Sequence, residues 1–139
     1  MKITRLIVGI WVAALVLAAA APARGQSTVG ECKARLDIIQ SDLDAIFSAG
    51  GIGGNNPQQT YTSLSSKLQA ASAKLDQRKY ADALRKLQDF QIAVITMRDA
   101  GKPKLSAPDA GLLLDGANPD RFPFDEGVNG AIACIALLP

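Results

Sequence analysis

The sequence predicts an all-α fold, a small antiparallel helical bundle of about four to five helices behind a cleaved N-terminal signal peptide. Three observations carry that expectation. Apolar residues recur at spacings of three and four along successive stretches of the chain. Clusters of glycine, proline and asparagine divide those stretches. No strong apolar-polar alternation of the kind a half-buried strand needs is present.

The first element is the signal. Met1-Lys2-Ile3-Thr4-Arg5 is a short positive start, Leu6 to Ala21 is apolar throughout, and Ala21-Pro22-Ala23 supplies a small-x-small cleavage site. That order marks residues 1–23 as a secretory signal peptide. A retained anchor is the alternative, although the run is near the lower limit for spanning a bilayer. No Arg-Arg pair precedes the run, which favours the general secretory route over twin-arginine export. Glu31 before Cys32 argues against lipoprotein processing. The expected product is exported, periplasmic or extracellular, with no membrane insertion once the signal is removed.

Cleavage after Ala23 removes Lys2, Arg5 and Trp11. It leaves 13 basic residues against 13 acidic ones. A near-neutral chain lacks the usual electrostatic reason to bind nucleic acid. Residues 24–30 read as a flexible leader and 31–139 as a single helical domain. Cys32 and Cys134 sit near its two ends, and outside the cytoplasm such a pair is expected to form a disulfide.

Helix one is expected from about Glu31 to Ser48, with Cys32, Leu36, Ile39, Leu43, Ile46 and Phe47 on one stripe. Gly50-Gly51-Ile52-Gly53-Gly54-Asn55-Asn56-Pro57 then reads as a glycine-rich hinge at 50–57. Helix two is expected over Gln58–Gln77 on Tyr61, Leu64, Leu68, Ala71 and Leu75. Its many serines and alanines would let a neighbour approach closely. After a turn at Arg78-Lys79, helix three is expected over Tyr80–Ala100, with Ala83, Leu84, Leu87, Phe90, Val94 and Met97 on one face. Gly101 is its expected C-terminal cap. Asp82-Lys86 and Lys86-Asp89 are spaced for weak surface pairs. Ser106, Pro108 and Asp109 open a short helix carrying Leu112, Leu113 and Leu114. A loop follows, then Phe122-Pro123-Phe124. Gly127–Leu138 is a last apolar segment, read as helix with a short strand as the alternative.

Leu64-x3-Leu68-x-Ala70-Ala71-x3-Leu75, then Tyr80-Ala81-Asp82-Ala83, Lys86-Leu87-Gln88-Asp89-Phe90, Leu105-Ser106 and Asp109-Ala110 together resemble the FIMAH-type helical domain of exported bacterial proteins. The resemblance covers residues from about 64 to 117. Gln77-Arg78-Lys79 replaces a turn that often carries asparagine, and Phe90-Gln91 stands where Phe-Ile is more usual. The resemblance implies a non-catalytic accessory module with a scaffold or attachment role. It brings no active-site residue.

The absence of histidine excludes Ser-His-Asp and Cys-His catalysis, histidine-held haem and the usual catalytic zinc sites. Paired carboxylates remain as an enzyme signal. Asp37 and Asp44 lie on helix one, and Asp125-Glu126 are adjacent, but nothing in the sequence sets a pair across a cleft as a glycosidase requires. Asp115 to Glu126 has the length of a calcium loop, yet Ala117 and Pro119 occupy ligand positions and Asp120 stands where glycine should turn. Gly51-Ile52-Gly53-Gly54 lacks the Gly-Lys-Ser/Thr ending of a phosphate loop. No catalytic residue, cofactor or metal is therefore assigned.

Arg121, Phe122 and Phe124 are the candidate partner-binding residues, since aromatics beside an arginine are common interface anchors; the alternative is a loop whose aromatics clamp onto the core. Tyr61 and Tyr80 are candidates either for helix-end core positions or for the same role. The function expected is a secreted or periplasmic interaction module, without catalysis, binding a protein or envelope polymer; self-association is a further option. The alternative is a small-ligand carrier with a pocket between helices two and three and the C-terminal segment. A carboxylate-based hydrolase is the third reading.

Overall fold

The computed structural model describes residues 27–117 and 126–139. Among the described residues there are five helices and no strand: α1 (Val29–Ser48), α2 (Pro57–Asp76), α3 (Tyr80–Asp99), α4 (Ala107–Asp115) and α5 (Gly127–Ala136). The expected signal peptide and residues 24–26 of the expected leader lie outside the described residues; of the rest of that leader, Thr28 is the cap of α1 and Val29 and Gly30 are its first residues. None of the described helices is long and apolar enough to cross a membrane.

Local chemistry explains the boundaries. Thr28 caps α1 through a reciprocal capping box with Glu31, so the helix begins two residues before its expected start. The Thr28 N–H donates to Glu31 Oε2 at 2.7 Å and the Glu31 N–H to Thr28 Oγ1 at 3.2 Å. Asn56 caps α2 by accepting from the Gln59 N–H, and Pro57 becomes the first helical residue. Proline suits that position because its missing N–H would have no helical partner. Ser106 caps α4 as expected, accepting from the Asp109 N–H at 3.1 Å.

The end of α3 differs from expectation. Ala100 leaves the helix in an extended conformation, and Gly101 does not adopt the left-handed geometry of a glycine cap. The Met97 carbonyl instead accepts from the Lys104 N–H at 2.9 Å. The expected pairs of Lys86 are replaced by a loose Asp82–Arg85 contact of 3.8 Å. At such exposure it contributes little.

The three-residue turn between α2 and α3 makes them an antiparallel hairpin with the most extensive helix-helix contact in the fold. Arg78 in that turn adopts φ of 55°. An L-residue with a Cβ pays for this conformation. Arg78→Gly should therefore stabilise the domain by about 0.5–1 kcal/mol, read as a rise in urea midpoint.

The core combines the apolar stripes read from the sequence. Cys32, Leu36, Ile39, Leu43 and Ile46 of α1 meet Leu64, Leu68, Ala71 and Leu75 of α2 and Ala83, Leu87, Phe90 and Val94 of α3. Helices α4 and α5 close it with Ala110, Leu113, Leu114, Val128, Ala131 and Ile135. The last apolar segment is thus a helix. Two core members lie outside the helices: Ile52 and Leu105 are only 2% and 1% exposed. Ile52 anchors the glycine-rich connection, and the Gly53 N–H donates to the Lys104 carbonyl at 2.7 Å. Composition alone reads that stretch as a hinge; the contacts tie it to the loop after α3.

Cys32 and Cys134 are disulfide-bonded, with 5.6 Å between their Cα atoms. The bond joins the first turns of α1 to the later part of α5. Gln91 Nε2 donates to Asn129 Oδ1 at 2.7 Å, and Asn129 Nδ2 donates to Asp115 Oδ1 at 2.6 Å. One amide pair therefore links α3, α5 and α4.

Candidate functional site

Arg121, Phe122 and Phe124 lie outside the described residues, as does Asp125. The Ala117 N–H donates to Glu126 Oε2 at 3.0 Å, so the two ends of that stretch are fastened to each other. Gly116 and Gly127 both have positive φ, 80° and 63°, and both face backbone or side-chain atoms of the opposite end.

Beside this junction is a cleft of about 210 Å³ between α1 and the start of α5, lined by Arg35, Ile38, Asp42, Ala117 and Glu126 among others. Arg35, Ile38 and Asp42 follow one another at helical spacings of three and four, so they share a face of α1 that is separate from the core stripe. Ile38 is 57% exposed there. The sequence places Arg35 and Asp42 simply as charges off the dominant stripe and gives Ile38 no role; an isoleucine off that stripe, between an arginine and an aspartate, is the signal that joins them.

Burial first, and the nearby Glu126 second, raise the Asp42 carboxyl above its ordinary 3.8. A carboxyl whose pKa is higher in the folded than in the unfolded chain binds more protons when folded. Stability then falls as pH rises through the interval between the two values. Asp42→Asn should flatten that part of the profile. The parent's urea midpoint should fall relative to the variant's as pH rises above about 4, the ordinary carboxylate value.

Asp37 and Asp44, the acidic candidates on α1, have separate surroundings. Asp44 accepts from Gln40 Nε2 at 2.7 Å and from the Tyr61 hydroxyl at 2.8 Å. Tyr61 also stacks on Phe47, with ring centroids 4.5 Å apart. The hydrogen bond to Asp44 is the main cause raising the Tyr61 pKa above its ordinary value. Ser65, only 7% exposed, continues this line: its hydroxyl donates to Gln40 Oε1 at 2.9 Å and accepts from Gln69 Nε2 at 3.2 Å. The result is a polar ladder that fixes α1 against α2. Asp37 lies farther along the same helix pair, in a groove of about 290 Å³ with Gln69 and Asp76. Tyr80 sits half-buried at the end of the bundle near Leu138. Among the described residues no three acidic or cysteine side chains gather where a metal ion could be held.

A broader cleft, about 660 Å³, opens between the start of α2, the end of α3 and the loop after it. Asn55, Gln59 and Ser63 line one side, Met97 and Pro103 another, and Lys102 and Lys104 its rim. It lies between helices two and three, as the carrier reading expects, but the loop and not the C-terminal segment completes it.

Compared with protein-family models, with curated proteins and with solved structures, the chain matches none.

Proposed function

We propose that this chain is an exported, non-catalytic helical interaction module that docks on a protein or on an envelope polymer. The observation that carries this reading is Ile38, 57% exposed between Arg35 and Asp42 at the cleft beside the Ala117–Glu126 junction. An apolar side chain ringed by charges suits an interface that buries its centre and leaves a polar rim. Phe122 and Phe124 follow Ala117 by five and seven residues and supply two further apolar anchors in sequence. The signal-like start and the disulfide support export. The resemblance of residues 64–117 to FIMAH-type domains supports an accessory role.

The test is capture of partners from envelope extract and culture fluid on the immobilised mature chain, from Gln26 onward with its disulfide intact. A stoichiometric partner should bind, and Ile38→Asp should weaken it at least about tenfold while leaving helix content unchanged. A Phe122→Ala/Phe124→Ala variant should act in the same direction. Equal retention by all three proteins would count against the reading.

The second reading, a small-ligand carrier, is favoured by the 660 Å³ cleft between α2 and α3. Its size falls within the range of small-molecule sites. A ligand retained under native mass spectrometry is its test.

A further inference from the structure

The cleft between α2 and α3 has a chemical character of its own. Lys102 and Lys104 are its charged side chains, and among the described residues no carboxylate lines it. Neither lysine forms an ion pair among the described residues. The remaining lining is mainly amide and hydroxyl, with Met97 and Pro103 as apolar patches. Among the described residues the Ser63 hydroxyl makes no side-chain hydrogen bond.

The backbone holds this arrangement in place. The Lys104 N–H donates to the Met97 carbonyl at 2.9 Å, and the Lys104 carbonyl accepts from the Gly53 N–H at 2.7 Å. Leu105 next to it is buried. The Lys104 stem lies along Gly54, whose φ of 101° favours glycine; a Cβ there would be at ordinary contact distance, 3.4–3.6 Å, from Lys104 Cε, Cδ and Cγ. Lys102 and Lys104 are both exposed and both line the cleft, so the two ammonium groups share its rim. The start of α2 is not the source of the attraction, because Asn56 already caps it through the Gln59 N–H.

From these features we infer that the cleft binds an acidic oligosaccharide, a run of carboxylate-bearing sugars. Two lysine ammonium groups answer carboxylates as point charges. Asn55, Gln59 and Ser63 offer donors and acceptors to sugar hydroxyls, and the Met97 and Pro103 patches accept the C–H faces of a ring. Among the described residues no aromatic ring lines the cleft to stack a nucleobase, which disfavours a nucleotide. This deepens the carrier reading and rests on it; it is independent of the docking face at Ile38.

The experiment is calorimetric titration of the mature, disulfide-intact protein with an oligosaccharide of uronic acid units, with a neutral oligosaccharide of the same length and with inorganic phosphate. Lys102→Ala/Lys104→Ala is the test variant and Lys86→Ala the control. The uronate oligomer should bind, weaken several-fold between low and high salt, and lose at least tenfold affinity in the double variant but not in Lys86→Ala. Both lysines are exposed, so the double variant should keep the parent's helix content and urea midpoint. Equal binding of the neutral oligomer, equal binding of phosphate alone, or indifference to the double substitution would overturn the assignment. A different ligand retained in native mass spectra, alongside failure of the uronate, would defeat the assignment while leaving the carrier reading in place.

Discussion

Replacing both cysteines, as Cys32→Ala/Cys134→Ala, should cost the domain about 4–5 kcal/mol. The disulfide spans 102 residues, and closing a loop of that length removes roughly this much free energy from the unfolded chain's entropy. Domains of this size have about 5–15 kcal/mol of stability in total, so the melting temperature should fall by on the order of 20 °C. Alanine is the better probe than serine. Cys32 is fully buried and Cys134 nearly so, and a serine hydroxyl there would add a desolvation cost of its own. Urea unfolding of the parent with and without reductant, beside the double variant, checks the prediction. Reduced parent and variant should agree within about 1 kcal/mol, since both test the same lost constraint. A parent indifferent to reductant would show that the bond does not limit unfolding. Helix content should survive reduction under native conditions, because Leu36, Ile39 and Leu43 still meet Val128, Ala131 and Ile135 in one core.

The three long helices were legible because their stripes are regular. Leu64, Leu68, Ala71 and Leu75 are all buried, as their spacing implies. Ser106 was legible as a cap because hydroxyl capping is local chemistry. The Thr28-x-x-Glu31 capping box was equally local, yet the helix start read from apolar periodicity falls two residues late, since Val29 and Gly30 precede the stripe. Ile52 had no period to betray it: a single isoleucine among four glycines looks like part of a linker until Lys104 is seen to hold the segment. The partnership of α1 with α5 was legible through the cysteines alone. The candidate clefts were the least legible part. Arg35, Ile38 and Asp42 share a minor face of α1, and Lys102 reaches the start of α2 only because α2 and α3 fold back on each other. Such juxtapositions depend on chain return, which local spacing does not encode.

Gly127→Ala should destabilise the domain by about 3 kcal/mol, far more than the added methyl group suggests. Gly127 adopts φ of 63° at the first position of α5. A side chain in that conformation carries about 1–2 kcal/mol of local strain. A Cβ at this position would also lie 2.5 Å from the carbonyl carbon and oxygen of Leu114 and 2.6 Å from the Asp115 nitrogen. Those are backbone atoms in the last turn of α4, so relief requires moving one helix against the other; overpacking of this kind typically costs about 1–3 kcal/mol. Such movement would strain the Asn129–Asp115 hydrogen bond and widen the Ala117–Glu126 junction, so the damage should concentrate at the cleft holding Ile38. Gly111 supplies the control within α4. A Cβ built there meets nothing within 4 Å, and its φ is helical in sign. Gly111→Ala should therefore stabilise by about 0.5–1 kcal/mol through helix propensity. Urea midpoints of the two variants moving in opposite directions would show that close approach, and not glycine as such, is what position 127 requires; a neutral Gly127→Ala would mean that α4 and α5 yield to each other more easily than their buried contact implies.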